Sequence, residues 1–139
     1  MFSAKTEYAC VALARLAAEH SGGRPLQGRR LAAEEAIPEG FLVQILQELK
    51  RAGLVTSTRG AAGGYRLARP AADVSLGEAL DALEGAPEHA GACGSPSPIG
   101  AAVADCLSES ARRERARLHG VSLAEIVAST ATPAPMYHI

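Results

Sequence analysis

Between residues 54 and 68 the apolar pattern changes period, and that change limits the folds open to this chain. Upstream, Ala9, Ala12, Leu13 and Leu16 recur at helical spacing, and so do Phe41, Leu42, Ile45, Leu46 and Leu49. Then Leu54 to Thr58 and Tyr65 to Ala68 read as β-prone runs. Between them lies Arg59-Gly60-Ala61-Ala62-Gly63-Gly64. Two short strands around a glycine-rich turn predict a β-hairpin. Of the 139 residues, 47% are hydrophobic but only 4% aromatic, so Ala and Leu must do most of the packing. That favours helices over a β-sandwich.

The elements around the hairpin complete the pattern. A helix is predicted over 3–20, capped by Ser3 and stopped by Ser21-Gly22-Gly23-Arg24-Pro25. A short helix follows over 27–35 with Leu31 inward. A third opens at Pro38, runs to about Ala52 and stops at Gly53. Helix, helix, helix, hairpin is the order of a winged helix-turn-helix. Ser75 and Glu78 form a capping box for a fourth helix ending near Gly85. Residues 86–98 hold three prolines and two glycines, which predicts an exposed loop. A long amphipathic helix is predicted from about Pro98 to Leu118. Ser122 and Glu125 form a second capping box before a last helix, Leu123 to Ala128. The fold class is therefore mainly α with a small β-hairpin wing. Three segments are expected: a winged helix-turn-helix DNA-binding domain over 1–70, a sensor loop and dimerisation helices over 71–130, and a disordered tail over 131–139.

Net charge is −1, which by itself says little. Residues 1–70 carry ten Lys/Arg against six Asp/Glu, a net of +4, and residues 71–139 carry four against nine, a net of −5. A basic front half suits a polyanionic partner. The second helix of a helix-turn-helix fits the DNA major groove with its N-terminal residues at the base edges. Here Glu39, Gly40, Val43, Gln44 and Gln47 face outward. Gln44 can pair with adenine, Lys50 and Arg51 suit phosphates, and Lys5 can reach the backbone. Arg59 at the hairpin tip suits a narrow minor groove, with Arg66 on the return strand. No Ser/His/Asp set, metal-hydrolase spacing or phosphate loop is present, which argues against an enzyme. The competing class is a winged-helix adaptor that binds protein rather than DNA. No run approaches the roughly 18 apolar residues of a membrane span, and no signal-peptide pattern begins the chain. The expectation is a cytoplasmic protein whose Cys10, Cys93 and Cys106 are thiols or metal ligands rather than structural disulfides.

The stretch Ser3 to Ala9, the run Phe41 to Leu46, the Arg59-Gly60-Ala61-Ala62-Gly63-Gly64-Tyr65 wing and the closing Ser122 to Val127 segment together resemble the IscR/NsrR/CymR group (Rrf-type) of winged-helix transcriptional regulators. The resemblance reaches residue 129. It implies a homodimer joined by the long C-terminal helix and a palindromic double-stranded DNA operator. It also implies base-groove contacts from Gln44 and Arg59, with Gly63, Gly64 and Tyr65 part of the wing. Pro38 and Gly40 stand where relatives often carry Ser.

Many relatives hold an iron–sulfur cluster through three cysteines. This chain departs from that pattern, with Cys93 and Cys106 separated by twelve residues and no third cysteine nearby. Two thiolates do not complete a cluster, since each iron needs four ligands. The resemblance then allows a 2Fe-2S cluster with mixed ligands: Cys93, Cys106, Glu7 and Glu35, with Cys10 and His89 as substitutes. A Cys93–Cys106 thiol switch is a second reading. Incidental cysteines and a protein partner make a third. His20, His119 and His138 read as plain surface residues.

Overall fold

In the computed structural model the described residues are 2–19, 23–87, 94 and 96–131. The expectations for Cys93, His89, His20, His138, most of the 86–98 loop and all but the first residue of the 131–139 tail lie outside them. Among the described residues the chain forms six α-helices and one two-stranded antiparallel hairpin. The helices are α1 (Ala4–Glu19), α2 (Gly28–Glu35), α3 (Glu39–Arg51), α4 (Leu76–Glu84), α5 (Pro98–His119) and α6 (Leu123–Ala131). The strands are β1 (Val55–Thr58) and β2 (Gly64–Leu67), and a 3₁₀ turn spans Ala71–Asp73.

The first helix starts as its sequence dictates. The Thr6 amide donates to Ser3 Oγ at 3.2 Å, which satisfies one of the orphan donors of the first turn. Ala9, Ala12, Leu13 and Leu16 are all buried. Facing them on α3 are Leu42, Ile45, Leu46 and Leu49, all essentially inaccessible. Each such leucine or isoleucine contributes about 2 kcal/mol of burial free energy. Phe41 is half-buried and meets Tyr8 edge-on, with ring centroids 5.6 Å apart and an interplanar angle of 77°. Val74 just before α4, Ala79 of α4 and Leu123 of α6 join the same core. One core thus draws on both halves of the chain.

Between α2 and α3 the backbone turns at Ala36, with φ 54° and ψ 42°. The Ile37 amide donates to the Ala32 carbonyl at 2.9 Å. A left-handed C′ residue with this back-bond is a Schellman-type stop. Alanine is an unfavourable occupant there, because its Cβ crowds the carbonyl. Ile37 is buried and anchors the turn. Pro38 is extended (φ −56°, ψ 129°) and stands at the N-cap rather than inside the helix, so α3 begins one residue later than predicted. At the other end Gly53 (φ 80°) lets the Leu54 amide return to the Leu49 carbonyl at 3.0 Å, and the chain enters β1.

The hairpin register pairs Val55 with Leu67, Thr56 with Arg66, Ser57 with Tyr65 and Thr58 with Gly64. Leu54 and Ala68, predicted as strand residues, fall just outside but remain joined by the Ala68 amide to the Leu54 carbonyl at 3.0 Å. The hairpin does not stand alone. Leu26, in the α1–α2 linker, bridges Tyr65 with two backbone hydrogen bonds of 2.8 Å.

Three further expectations are corrected. The capping boxes at Ser75 and Ser122 are half made: both hydroxyls accept from the amide three residues on, at 3.1 Å. The Glu78 carboxylate, however, goes to Arg69 instead of back to Ser75. The last helix continues to Ala131 rather than stopping at Ala128. The Ser129 and Thr130 hydroxyls donate to the Ile126 and Val127 carbonyls at 2.6 and 2.7 Å, so polar side chains that could break the helix bond within it. His119 is no plain surface residue. Its Nε2 lies 2.9 Å from Asp81 Oδ2, and its ring covers Gly77 so closely that a Cβ there would overlap it.

Ala36→Gly removes the left-handed strain without touching a packed atom. It is expected to raise the unfolding free energy by about 1 kcal/mol, measured by urea denaturation. An unchanged or lower midpoint would show that the turn is not strained.

Candidate nucleic-acid interface

The third helix divides its residues by face. Leu42, Ile45, Leu46 and Leu49 point into the core, which leaves Glu39, Gly40, Val43, Gln44 and Gln47 exposed. The predicted reading face is therefore the outer face of α3, with Gln44 near its middle. Lys50 and Arg51 close the helix and are exposed. Lys50 Nζ donates to Ser57 Oγ at 2.7 Å, which ties the end of α3 to β1.

The wing is held by its glycines. Gly63 is buried, and a Cβ there would overlap the Thr58 carbonyl oxygen. Gly64 has φ 147°, and its Cβ would stand 2.5 Å from the Leu26 carbonyl. Both positions exclude a side chain for steric reasons. Tyr65 is half-buried beside them and carries the Leu26 bridge. Gly63, Gly64 and Tyr65 thus sit where the hairpin docks. Arg59 leads the tip, exposed and, among the described residues, in no ion pair with a carboxylate. Beneath the tip lies an open cleft of about 520 Å³, walled by Arg24, Gln27, Arg30, Ala61 and Ala62.

Other basic residues are committed internally. Lys5 Nζ pairs with the buried Glu48 Oε2 at 2.5 Å, joining α1 to α3. Arg15 donates to Glu35 Oε2 at 2.7 Å, and Arg30 to Glu34 Oε2 at 2.5 Å. The Glu35 hydrogen bond, with Glu34 and Glu19 nearby, raises the Arg15 guanidinium above its usual basicity. Arg29, 91% exposed in the first turn of α2, has a loose 3.9 Å contact with Glu39. Arg29 and Gln27 escaped the sequence reading. Gln27 is a long amide at an N-cap, where a short polar residue is usual, and that mismatch was the available signal.

The proposed metal ligands are not gathered. Among the described residues no three His, Cys, Asp or Glu side chains come together as a metal site. Glu35 is held by Arg15. Cys10 shares a largely apolar cavity of about 270 Å³ with Thr6, Glu7, Leu76, Leu80 and Leu118. Burial first, then the Glu84 and Glu7 carboxylates, push its thiol up to about 11, which makes a poor thiolate ligand at neutral pH. Cys106 and Glu7 are exposed. Within one chain the described donors do not fit a complete cluster site.

The family model described as "Rrf2: Iron-dependent Transcriptional regulator" matches residues 2–129. The chain is 41% identical over 83 residues to the HTH-type transcriptional regulator IscR of Cereibacter sphaeroides, covering 59% of this chain and 54% of that protein. It spans about half the length of the curated relatives it first matches. Among solved structures it resembles CymR, the global cysteine regulator of B. subtilis, with a TM-score of 0.78 at 26% identity. That match covers 93% of this chain and 97% of the other. The IscR of T. potens follows with a TM-score of 0.76 at 29% identity, covering 99% and 95%.

Cys10 is expected to react with iodoacetamide at pH 8 at least about tenfold more slowly than Cys106, because it is both shielded and protonated. Peptide mass mapping of the native protein reads this directly. Equal rates would mean that the α1 cavity admits reagent and that the thiol is not held neutral.

Proposed function

The chain belongs to the Rrf2 family of transcriptional regulators, and on that premise we propose that it binds a palindromic duplex operator as a homodimer. As a transcriptional regulator of this family it binds DNA and is not an enzyme. No helix among the described residues is long and apolar enough to cross a membrane; the cytoplasmic location is part of this proposal and rests on the proposed action on DNA.

The observation that carries the reading is the pairing of two exposed features on a fixed frame: the outer face of α3 with Gln44, and the unpaired Arg59 at the wing tip. An amide on the helix suits an adenine edge in the major groove. A guanidinium on the hairpin suits the more negative minor groove alongside. Arg51 and Arg29 are exposed and suit phosphates in this proposal. Lys50 hydrogen-bonds Ser57 and Lys5 forms an ion pair with Glu48, so each stiffens the frame and would contribute its charge at short range.

Support for the dimer comes from α5. It has no buried residue within one chain. Ile99, Val103 and Leu107 repeat every fourth residue at 79%, 53% and 50% exposure. Such a stripe on a helix of 22 residues is what a helix–helix seam requires. A second copy supplies the matching stripe, and a two-fold dimer presents two reading helices to two half-sites.

The C-terminal half is the sensing half in this proposal, responsive to redox or iron–sulfur status. Cys106, with Cys93, supplies the thiols. A 2Fe-2S cluster there needs further ligands, and Glu7 is the exposed carboxylate available for one. Glu35 and Cys10 are poor candidates for the reasons above. The alternative is a cluster-free switch in which the two thiols lose two electrons and two protons to an oxidant and form a disulfide, or control by a protein partner. Iron and acid-labile sulfide in anaerobically isolated protein separate the cluster from the thiol pair.

Arg59→Ala is expected to cost about 1–3 kcal/mol of duplex affinity per half-site. It should also flatten the dependence of log K on log salt by about one charge per subunit, as read by fluorescence anisotropy. An unchanged affinity and slope would favour the adaptor reading. Val103→Glu places a charge in the proposed seam, and sedimentation velocity is expected to show a folded monomer. A dimer that survives it would move the interface off α5.

A further inference from the structure

Gln27 stands at the N-cap of α2 with extended backbone (φ −65°, ψ 139°), yet its side chain caps nothing in that helix. Its Nε2 instead donates to the carbonyl oxygen of Ala61 at 2.9 Å, 34 residues away. Ala61 is in the wing loop, two residues beyond Arg59.

The base of the wing is already secured. Leu26 and Tyr65 exchange two backbone hydrogen bonds, and Gly64 seats the strand on Leu26. The loop beyond that base is different. It closes on itself through the Gly63 amide to the Gly60 carbonyl at 2.9 Å, a bond internal to the tip. The open cleft beneath it is lined by Gln27 and Ala61 themselves, so packing does not support the tip from below. Among the described contacts, the Gln27–Ala61 hydrogen bond is what joins the tip to the helical body. It leaves from the first residues of α2, the helix that precedes the reading helix.

We propose that Gln27 is a positioning residue for DNA recognition, which fixes Arg59 relative to α3 by holding the wing loop at Ala61. The inference rests on the reading of Arg59 as a DNA contact. A helix in one groove and an arginine in the next must be placed together, and a tip free to swing loses conformational entropy when it docks. The hydrogen bond restricts the tip before binding. The residue acts through Arg59 and need not touch DNA.

The test is a double-mutant cycle on the full chain. The probe is a fluorescent duplex of about 30 base pairs, about three helical turns, selected from a random pool by the unmodified protein. Gln27→Met keeps the length of the side chain and lacks its N–H. It is expected to weaken binding by about threefold to tenfold with an unchanged melting temperature, since Gln27 is exposed. In an Arg59→Ala background the same change is expected to alter affinity by less than about twofold. Without DNA, trypsin is expected to cut after Arg59 faster in Gln27→Met, because the tip opens more often. Full additivity of the two losses would overturn the proposal and make Gln27 a contact in its own right. Unchanged affinity and unchanged cleavage in Gln27→Met would overturn it too. If Arg59→Ala alone changes neither affinity nor salt dependence, the DNA reading of the wing fails first, which the single variant reveals separately.

Discussion

The two hydrogen bonds between Leu26 and Tyr65 hold the molecule's separate parts in one frame. A two-stranded hairpin is marginal by itself in water, and β1 and β2 are four residues each. A single residue of the α1–α2 linker serves as a third partner for the sheet. The requirement propagates into the sequence. Gly64 must lack a side chain because the Leu26 carbonyl lies against it. Gly28, just beyond, faces the Tyr65 ring, where a Cβ would stand 3.5 Å from Cε2. The wing and the helix-turn-helix thus become one rigid unit.

Most of that frame was legible from residue order. The helical spacing in α1 and α3, the hydroxyl caps at Ser3, Ser75 and Ser122, and the stop at Gly53 are local chemistry, and local chemistry is written in adjacent residues. What stayed hidden depends on contacts between distant ones. Gln27 is unusual at an N-cap, but nothing near it names Ala61 as its partner, nor does anything near Lys5 name Glu48. Glu78 satisfies the spacing of a capping box, but Arg69 competes for it and wins, since a charged donor outbids a backbone amide. Ala36 is hidden for another reason: a helix-turn-helix usually invites glycine at such a φ, and the buried Ile37 that follows overrides the preference.

Charge shows the same limit. A net of +4 over the first seventy residues pointed to a polyanion, but a sum does not say which charges face outward. Lys5, Arg15 and Arg30 lie against carboxylates, while Arg24, Arg51 and Arg59 do not among the described residues. The charges free to meet DNA are therefore a few guanidinium groups around α3 and the wing rather than a whole basic half-chain. For the candidate ligands the narrowing is sharper. The resemblance offers Cys106, Glu7 and Glu35 with Cys10 as a substitute, whereas burial and partners separate them: Cys106 and Glu7 are exposed, Glu35 is held by Arg15 and Cys10 is largely shielded.

The acidic half shares the common core through Val74, Ala79 and Leu123, and one arginine ties its long helix to α4. Arg115 of α5 is 11% exposed and pairs with Asp81 and, at 3.7 Å, with Glu84, both on α4. It also donates to the Gly85 carbonyl at 2.7 Å. Glu84 in turn accepts from the Thr6 hydroxyl of α1 at 2.7 Å, and Asp81 from His119 one turn further along α5. A continuous polar path therefore leads from the long helix through α4 to the first turn of α1. A largely desolvated arginine left without its acceptors costs far more than an exposed ion pair. The long helix is thus fixed to α4 at its C-terminal end, while Ile99, Val103 and Leu107 toward the other end meet no core within the chain. Cys106 belongs to that stretch and is exposed there.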